Sequence, residues 1–158
     1  MIKLRKMNQE EFETFSKYSI EHYADDLIKS GMETEEKAYE KSVSGFHQMQ
    51  PDGLQTNDNY LYVIENENVD IGWIWYQKYP KDNTCGFICD FLIFDEHKRK
   101  GYGKETLKTI EEDAKNNTIK KLALNVFKHN PNAYTLYLKM GYKIIRDNPS
   151  NTIMEKEI

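Results

Sequence analysis

Apolar residues recur near helical spacing from Gln9 to Lys29, where Phe12, Phe15, Ser16, Ser19, Ile20, Tyr23 and Leu27 share a stripe that stops before Gly31. This predicts a first helix, preceded by a short strand at Ile2 to Arg5. A second helix is predicted from Thr34, where Glu35, Glu36 and Lys37 lead into Ala38, Val43 and Phe46, and it stops before Pro51 and Gly53. The period then changes. Tyr60 to Glu65 and Ile71 to Tyr79 are aromatic and β-branched, separated by Asn66, Glu67, Asn68 and Asp70, which reads as a hairpin. Gly86 to Phe94 is apolar on both alternating faces except at Asp90, the pattern of a central strand buried on two sides. Tyr102 to Lys115 returns to helical spacing, Leu122 to Phe127 alternates as a strand, and Pro131 to Met140 forms a helix with proline in its first turn and Gly141 past its end. Tyr142 to Ile145 and Thr152 to Lys156 close the sheet. The expected class is α/β (α+β): one domain with a mixed, mostly antiparallel sheet and about four helices.

Length agrees with one domain, since 158 residues at 39% hydrophobic content suffice for a core around a sheet. The formal net charge of −4 argues against a nucleic-acid binder, which needs a broad basic surface, so any phosphate site must be local. The opening MIKLRKMNQEEF turns polar too soon for a signal peptide and no apolar run reaches membrane-span length, so a cytoplasmic protein without a membrane partner is expected. Cys85 and Cys89 would sit about 13 Å apart on one strand, beyond disulfide reach, and read as reduced core thiols.

One segment reverses the local charge. Lys98, Arg99, Lys100, Gly101, Tyr102, Gly103 and Lys104 link the central strand to a helix, and two glycines allow backbone N–H groups to turn toward an anion at the helix start. A basic surface turn would look similar. The spacing is not that of a P-loop, and Thr106 stands where a dinucleotide fingerprint needs its third glycine.

Lys98 to Gly103 resembles the Q/R-x-x-G-x-G/A acyl-CoA loop of the GCN5-related N-acetyltransferases. Asn130-Pro131-Asn132-Ala133-Tyr134-Thr135-Leu136-Tyr137 followed by Gly141-Tyr142 resembles that family's N-x-x-A-x-x-L-Y-x-x-x-G-F segment. The similarity runs from Gly86 to about Ile145, with departures at Lys98, where Gln or Arg is usual, and at Asp95, where Pro often stands. The resemblance implies acetyl-CoA as acyl-donor co-substrate, direct transfer to a small-molecule or peptide amine, no metal, and a homodimer as a common assembly. It implies that backbone groups of Leu92, Ile93 and Phe94 align the pantetheine arm as an added strand. Leu92 is then the candidate donor to the oxyanion. The pyrophosphate falls to Lys98 through Lys104. Asn130 and Ala133 belong to the same cofactor segment, and Tyr137 matches the tyrosine that protonates the departing thiolate. A catalytically silent acyl-CoA sensor or interaction module is the alternative reading of the same motifs.

The acceptor must lose a proton, and Asp90 is the only charged residue in the central strand, predicted on one face with Ile88 and Leu92. It is the candidate base, with a structural hydrogen-bond acceptor as the competing role and Glu65, Tyr76 and His129 as alternative bases. Acidic residues Glu21, Asp25, Asp26, Glu33, Glu35 and Glu36 of the N-terminal helices would attract a cationic amine, or form a solvated face. Trp73, Trp75 and Tyr76 would line an acceptor slot, or pack a core.

Overall fold

The computed structural model describes residues 1–158. Its strands are β1 (Ile2–Lys6), β2 (Asn59–Asn66), β3 (Val69–Tyr79), β4 (Asp82–Ile93), β5 (Lys121–Phe127), β6 (Lys143–Asp147) and β7 (Asn151–Glu157). Its helices are α1 (Gln9–Lys29), α2 (Glu35–Met49), α3 (Tyr102–Asn116) and α4 (Pro131–Lys139). Each predicted element is present, and two single-turn 3₁₀ helices, Gly53–Gln55 and Asp95–His97, were not anticipated because they have no periodicity to read.

The local causes are visible. Asn8 caps α1 in a reciprocal capping box with Glu11, each side chain accepting from the other residue's backbone. The β2–β3 turn puts Glu67 and Asn68 at positive φ, which matches the right-handed twist of a tight hairpin. Seven strands form one sheet in the order β1-β2-β3-β4-β5-β7-β6, antiparallel throughout except for the β4–β5 pair that α3 connects. One face packs against α3 and α4 through Ile74, Tyr76, Ile88, Leu107, Ile110 and Leu124. The other packs against α1 and α2 through Phe12, Phe15, Phe46, Leu61, Val63 and Trp75. No helix is long and apolar enough to cross a membrane.

Two irregularities in β4 shape the middle of the sheet. Trp75 pairs with Asp90 and Tyr76 with Ile88, so Cys89 has no partner and forms a bulge. The extra residue reverses the alternation: Ile88 faces α3 and α4, whereas Cys89 and Asp90 face α1. The expectation that Asp90 shares a face with Ile88 is therefore corrected, while its alignment with Leu92, opposite Trp73, stands. The second irregularity is the end of the parallel pairing at Ile88 with Leu124, beyond which β4 and β5 separate. Residues Cys89 to Ile93 are only partly buried for that reason, rather than enclosed on both faces as the apolar run suggests. Cys85 and Cys89 are free thiols, both partly accessible.

Candidate active site

The gap between β4 and β5 carries backbone groups with no strand to bond. Their direction is set by the neighbouring ladder. Phe94 donates its N–H to the Ile71 carbonyl at 2.8 Å, and a Cβ built on Gly72 would lie 2.0 Å from the Leu92 carbonyl oxygen. Both observations place the backbone groups of Leu92 and Phe94 toward β3, and antiparallel alternation turns those of Phe91 and Ile93 toward the gap. Leu92 is thus corrected as an oxyanion donor: its amide belongs to the β3 ladder. Of Leu92, Ile93 and Phe94, Ile93 alone presents backbone to the gap, and Phe91 joins it.

At the end of β4 the chain makes its 3₁₀ turn and enters α3 through two left-handed residues, Arg99 at φ 63° and Gly101 at φ 83°. Gly101 is the N-cap and supplies no side chain to the helix start, where its positive φ would strain any L residue. No backbone carbonyl accepts from the amides of Arg99 through Lys104. Those amides and the helix dipole form an anion cradle. Lys98 pairs with Asp95 at 2.8 Å, which partly satisfies its charge, while Arg99, Lys100 and Lys104 are outside every ion pair of the chain. Gly103 lies against Leu136, bringing the start of α3 beside α4.

Across the gap, α4 begins with Asn130 as its N-cap, whose Oδ1 accepts from the Ala133 amide at 3.4 Å. Tyr137, one turn further, is buried against Tyr142, with ring centroids 5.7 Å apart. Burial raises its phenol well above the ordinary value and the Asp90 charge adds to the effect, so it is protonated throughout the neutral range. Asp90 accepts from the Ser19 hydroxyl at 2.8 Å. Desolvation pushes the carboxyl up to about 6, with Asp26 adding to it, against the opposing influence of Ser19, His22 and the Phe91 amide. The side chain is densely packed yet partly reached by solvent through the gap.

The remaining predicted groups divide cleanly. Glu65 pairs with Arg5 at 3.3 Å near the opposite edge of the sheet, and Tyr76 bonds Asp113 on the α3 side, so neither reaches the gap. His129, on the segment between β5 and α4, is bound to Asp26 at 2.7 Å. Trp75 and Tyr76 are core, whereas Trp73 packs between Tyr18 and Phe94, each 5.1 Å away. Glu21, Asp25, Glu35 and Glu36 lie on solvated faces, Glu33 pairs with Lys41, and Asp26 alone turns inward without a lysine or arginine partner. Ser19, His22 and Phe91 were missed as site residues. Ser19 and His22, with Asp26, place polar groups at spacings of three and four on α1 beside its apolar stripe, the one signal that pointed inward.

Residues 9–142 match the sequence model of the Acetyltransferase (GNAT) family. The chain is 34% identical over 157 residues to the "Uncharacterized N-acetyltransferase YdgE" of Bacillus subtilis (strain 168), covering 98% of this chain and 97% of that one. It resembles the crystal structure of Bacillus subtilis YycN with a TM-score of 0.89 at 33% identity, over 94% of this chain and 96% of that one. A PaiA N-acetyltransferase from Thermoplasma acidophilum in complex with coenzyme A shares the fold at 20% identity, with a TM-score of 0.72 over 100% and 99% of the two chains. A mixed seven-stranded sheet parted beside a basic, left-handed helix start, together with these matches across nearly the whole chain, makes it a member of the GNAT acetyltransferase family.

Proposed function

We propose that the chain transfers the acetyl group of acetyl-CoA directly to the amino group of a small molecule or peptide. The observation that carries this reading is the parting of β4 from β5 immediately before an anion-binding helix start. An extended pantetheine arm fits the gap as an added strand, bonded by the backbone of Phe91 and Ile93, while the pyrophosphate rests on the amides from Arg99 to Lys104. Arg99, Lys100 and Lys104 add charge there. The Phe91 amide, which in the free chain also acts on the Asp90 carboxylate, is the donor to the thioester oxygen as it becomes an oxyanion.

Asp90 takes a proton from the attacking nitrogen, and Tyr137 gives one to the departing sulfur. For an acceptor amine near pKa 10, a carboxylate near 6 leaves a gap of about 4 units, roughly 5 kcal/mol, against about 8 kcal/mol for an ordinary aspartate. Burial is what makes the base adequate. Tyr137 is weakened as an acid by the same burial, but a thiolate formed in that cleft is raised too, so the difference between the two sets the cost.

Calorimetry with acetyl-CoA at modest salt tests the donor. Binding is expected, and Gly101→Ala is expected to weaken it about tenfold, because the left-handed φ costs an L residue about 1–2 kcal/mol. Absence of binding to the unmodified protein would remove the proposal. A thiol-release screen of amines, peptides and aminoglycosides tests the acceptor: stimulation by an amine is expected, and slow hydrolysis unaffected by every amine would instead mark a silent acyl-CoA-binding module.

A further inference from the structure

A polar group on the α1 side of the cleft has no part in proton transfer through Asp90 and Tyr137. Asp26 turns its carboxylate inward, with 18% of the side chain exposed, and receives two imidazoles. His22 Nδ1 lies 3.3 Å away on the preceding turn of α1, and His129 Nε2 lies 2.7 Å away on the segment between β5 and α4. Burial alone would lift the Asp26 carboxyl, and the two imidazoles outweigh it and hold it below its ordinary value. Tyr18 stacks on the His22 ring at 5.2 Å, and Ser19, on the same helix face, donates to Asp90. The groups acting on His22 are Asp26, Lys29 and Tyr18 from α1 and Asp90 from β4, with His129 reaching it through Asp26.

The stoichiometry of acetyl transfer asks for a second proton acceptor. An alkylamine of pKa near 10 arrives as an ammonium. Its nitrogen loses one proton to expose the lone pair and another as the C–N bond forms and the C–S bond breaks. The thiolate takes the Tyr137 proton, the proton on Asp90 restores the tyrosine by way of water, and one proton per turnover must leave for solvent. The one proton on Asp90 is committed to restoring Tyr137, so the exported proton needs another group. His22 has 53% of its side chain exposed. Its Nδ1 faces an ionised carboxylate, which only accepts, so Nδ1 carries the hydrogen and Nε2 keeps the lone pair.

We infer that His22, oriented by Asp26, takes the first proton from the acceptor ammonium at Nε2 and passes it to solvent, leaving Asp90 to take the second. This rests on the acetyl-transfer reading of the cleft. The carboxylate of Asp26 raises the imidazole above its ordinary value, an effect that Asp90 reinforces and burial opposes, which suits a group that must capture a proton from an ammonium.

His22→Gln is compared with the unmodified enzyme using phenethylamine, an ammonium at pH 7, and O-benzylhydroxylamine, of similar shape but neutral at pH 7. The loss in kcat/KM at pH 7 is expected to be about tenfold larger for phenethylamine, shrinking as pH approaches that amine's own pKa. Equal losses with both amines overturn the inference, since a merely structural histidine would not distinguish them. If neither amine is turned over, titration of the His22 imidazole by NMR decides, and a midpoint at or below the ordinary 6.5 overturns it. Failure of the unmodified protein to bind acetyl-CoA would instead overturn the reading on which it rests.

Discussion

Replacing Tyr137 with Phe should lower kcat for acetyl transfer by about 10²-fold while leaving acetyl-CoA affinity within about twofold. The phenol has no hydrogen-bond partner inside the chain, and its ring is packed against Tyr142 in the core between the sheet and α4. Phe keeps that packing and removes only the hydroxyl, so the fold and the cofactor cradle on α3 are unaffected. The thiolate then departs without a positioned proton donor. The chemical step should then limit turnover, and kcat should become sensitive to the basicity of the thiol formed. Steady-state kinetics with acetyl-CoA and an amine from the screen, beside calorimetry of the same variant, separates the two quantities. A large loss of affinity at normal turnover would assign the hydroxyl to binding.

Asp90→Asn should act in opposite directions on stability and on catalysis. The folded carboxyl titrates near 6 rather than the ordinary 3.8 because burial disfavours its charge. The unfolded chain therefore releases its proton first as pH rises. Stability is undiminished below about 3.8, falls as pH rises through the window up to 6, and stays reduced above it. The shift of about 2 units corresponds to roughly 3 kcal/mol, trimmed to about 2 by the solvent that reaches the gap. Asparagine keeps an oxygen to accept from Ser19 and has no charge to bury. The variant should match the unmodified protein in stability at pH 4 and exceed it by about 2 kcal/mol at pH 8, a gain of several degrees in Tm. Turnover should fall by about 10²-fold or more, because the nitrogen loses its proton acceptor. Thermal unfolding across pH 4 to 8 checks the first effect, and equal differences at every pH would contradict it. Undiminished turnover would leave Asp90 as a structural acceptor for Ser19.

Much of the fold was legible because its causes are local. The stripe on α1, the capping box at Asn8, the aromatic hairpin with its Asn-Glu-Asn turn, and Pro131 with Gly141 around α4 each act within a few residues, so the order of elements could be read from period and punctuation. The basic, glycine-bearing turn into α3 was legible for the same reason, since its charge and glycine spacing lie in one short segment. Boundaries were less so: β4 begins at Asp82 rather than Gly86, where a polar hairpin end carries no apolar signal.

The geometry of the candidate site depends on partners distant in the chain. Which backbone groups of Phe91 and Ile93 face the gap is set by the register with β3 and by the bulge at Cys89, and one inserted residue reverses every face beyond it. Asp90 meets Ser19 across 71 residues, and His129 meets Asp26 across 103. Nothing in the sequence around either residue reveals such a contact, because it exists only once α1 has packed on the sheet and β5 has moved away from β4. Residue order thus decided the elements, the basic turn into α3 and the presence of Tyr137 on α4. Tertiary packing decided which amides are open, how strongly Asp90 holds its proton, and that His22 acts on it, since register, burial and charge proximity are properties of the assembled chain.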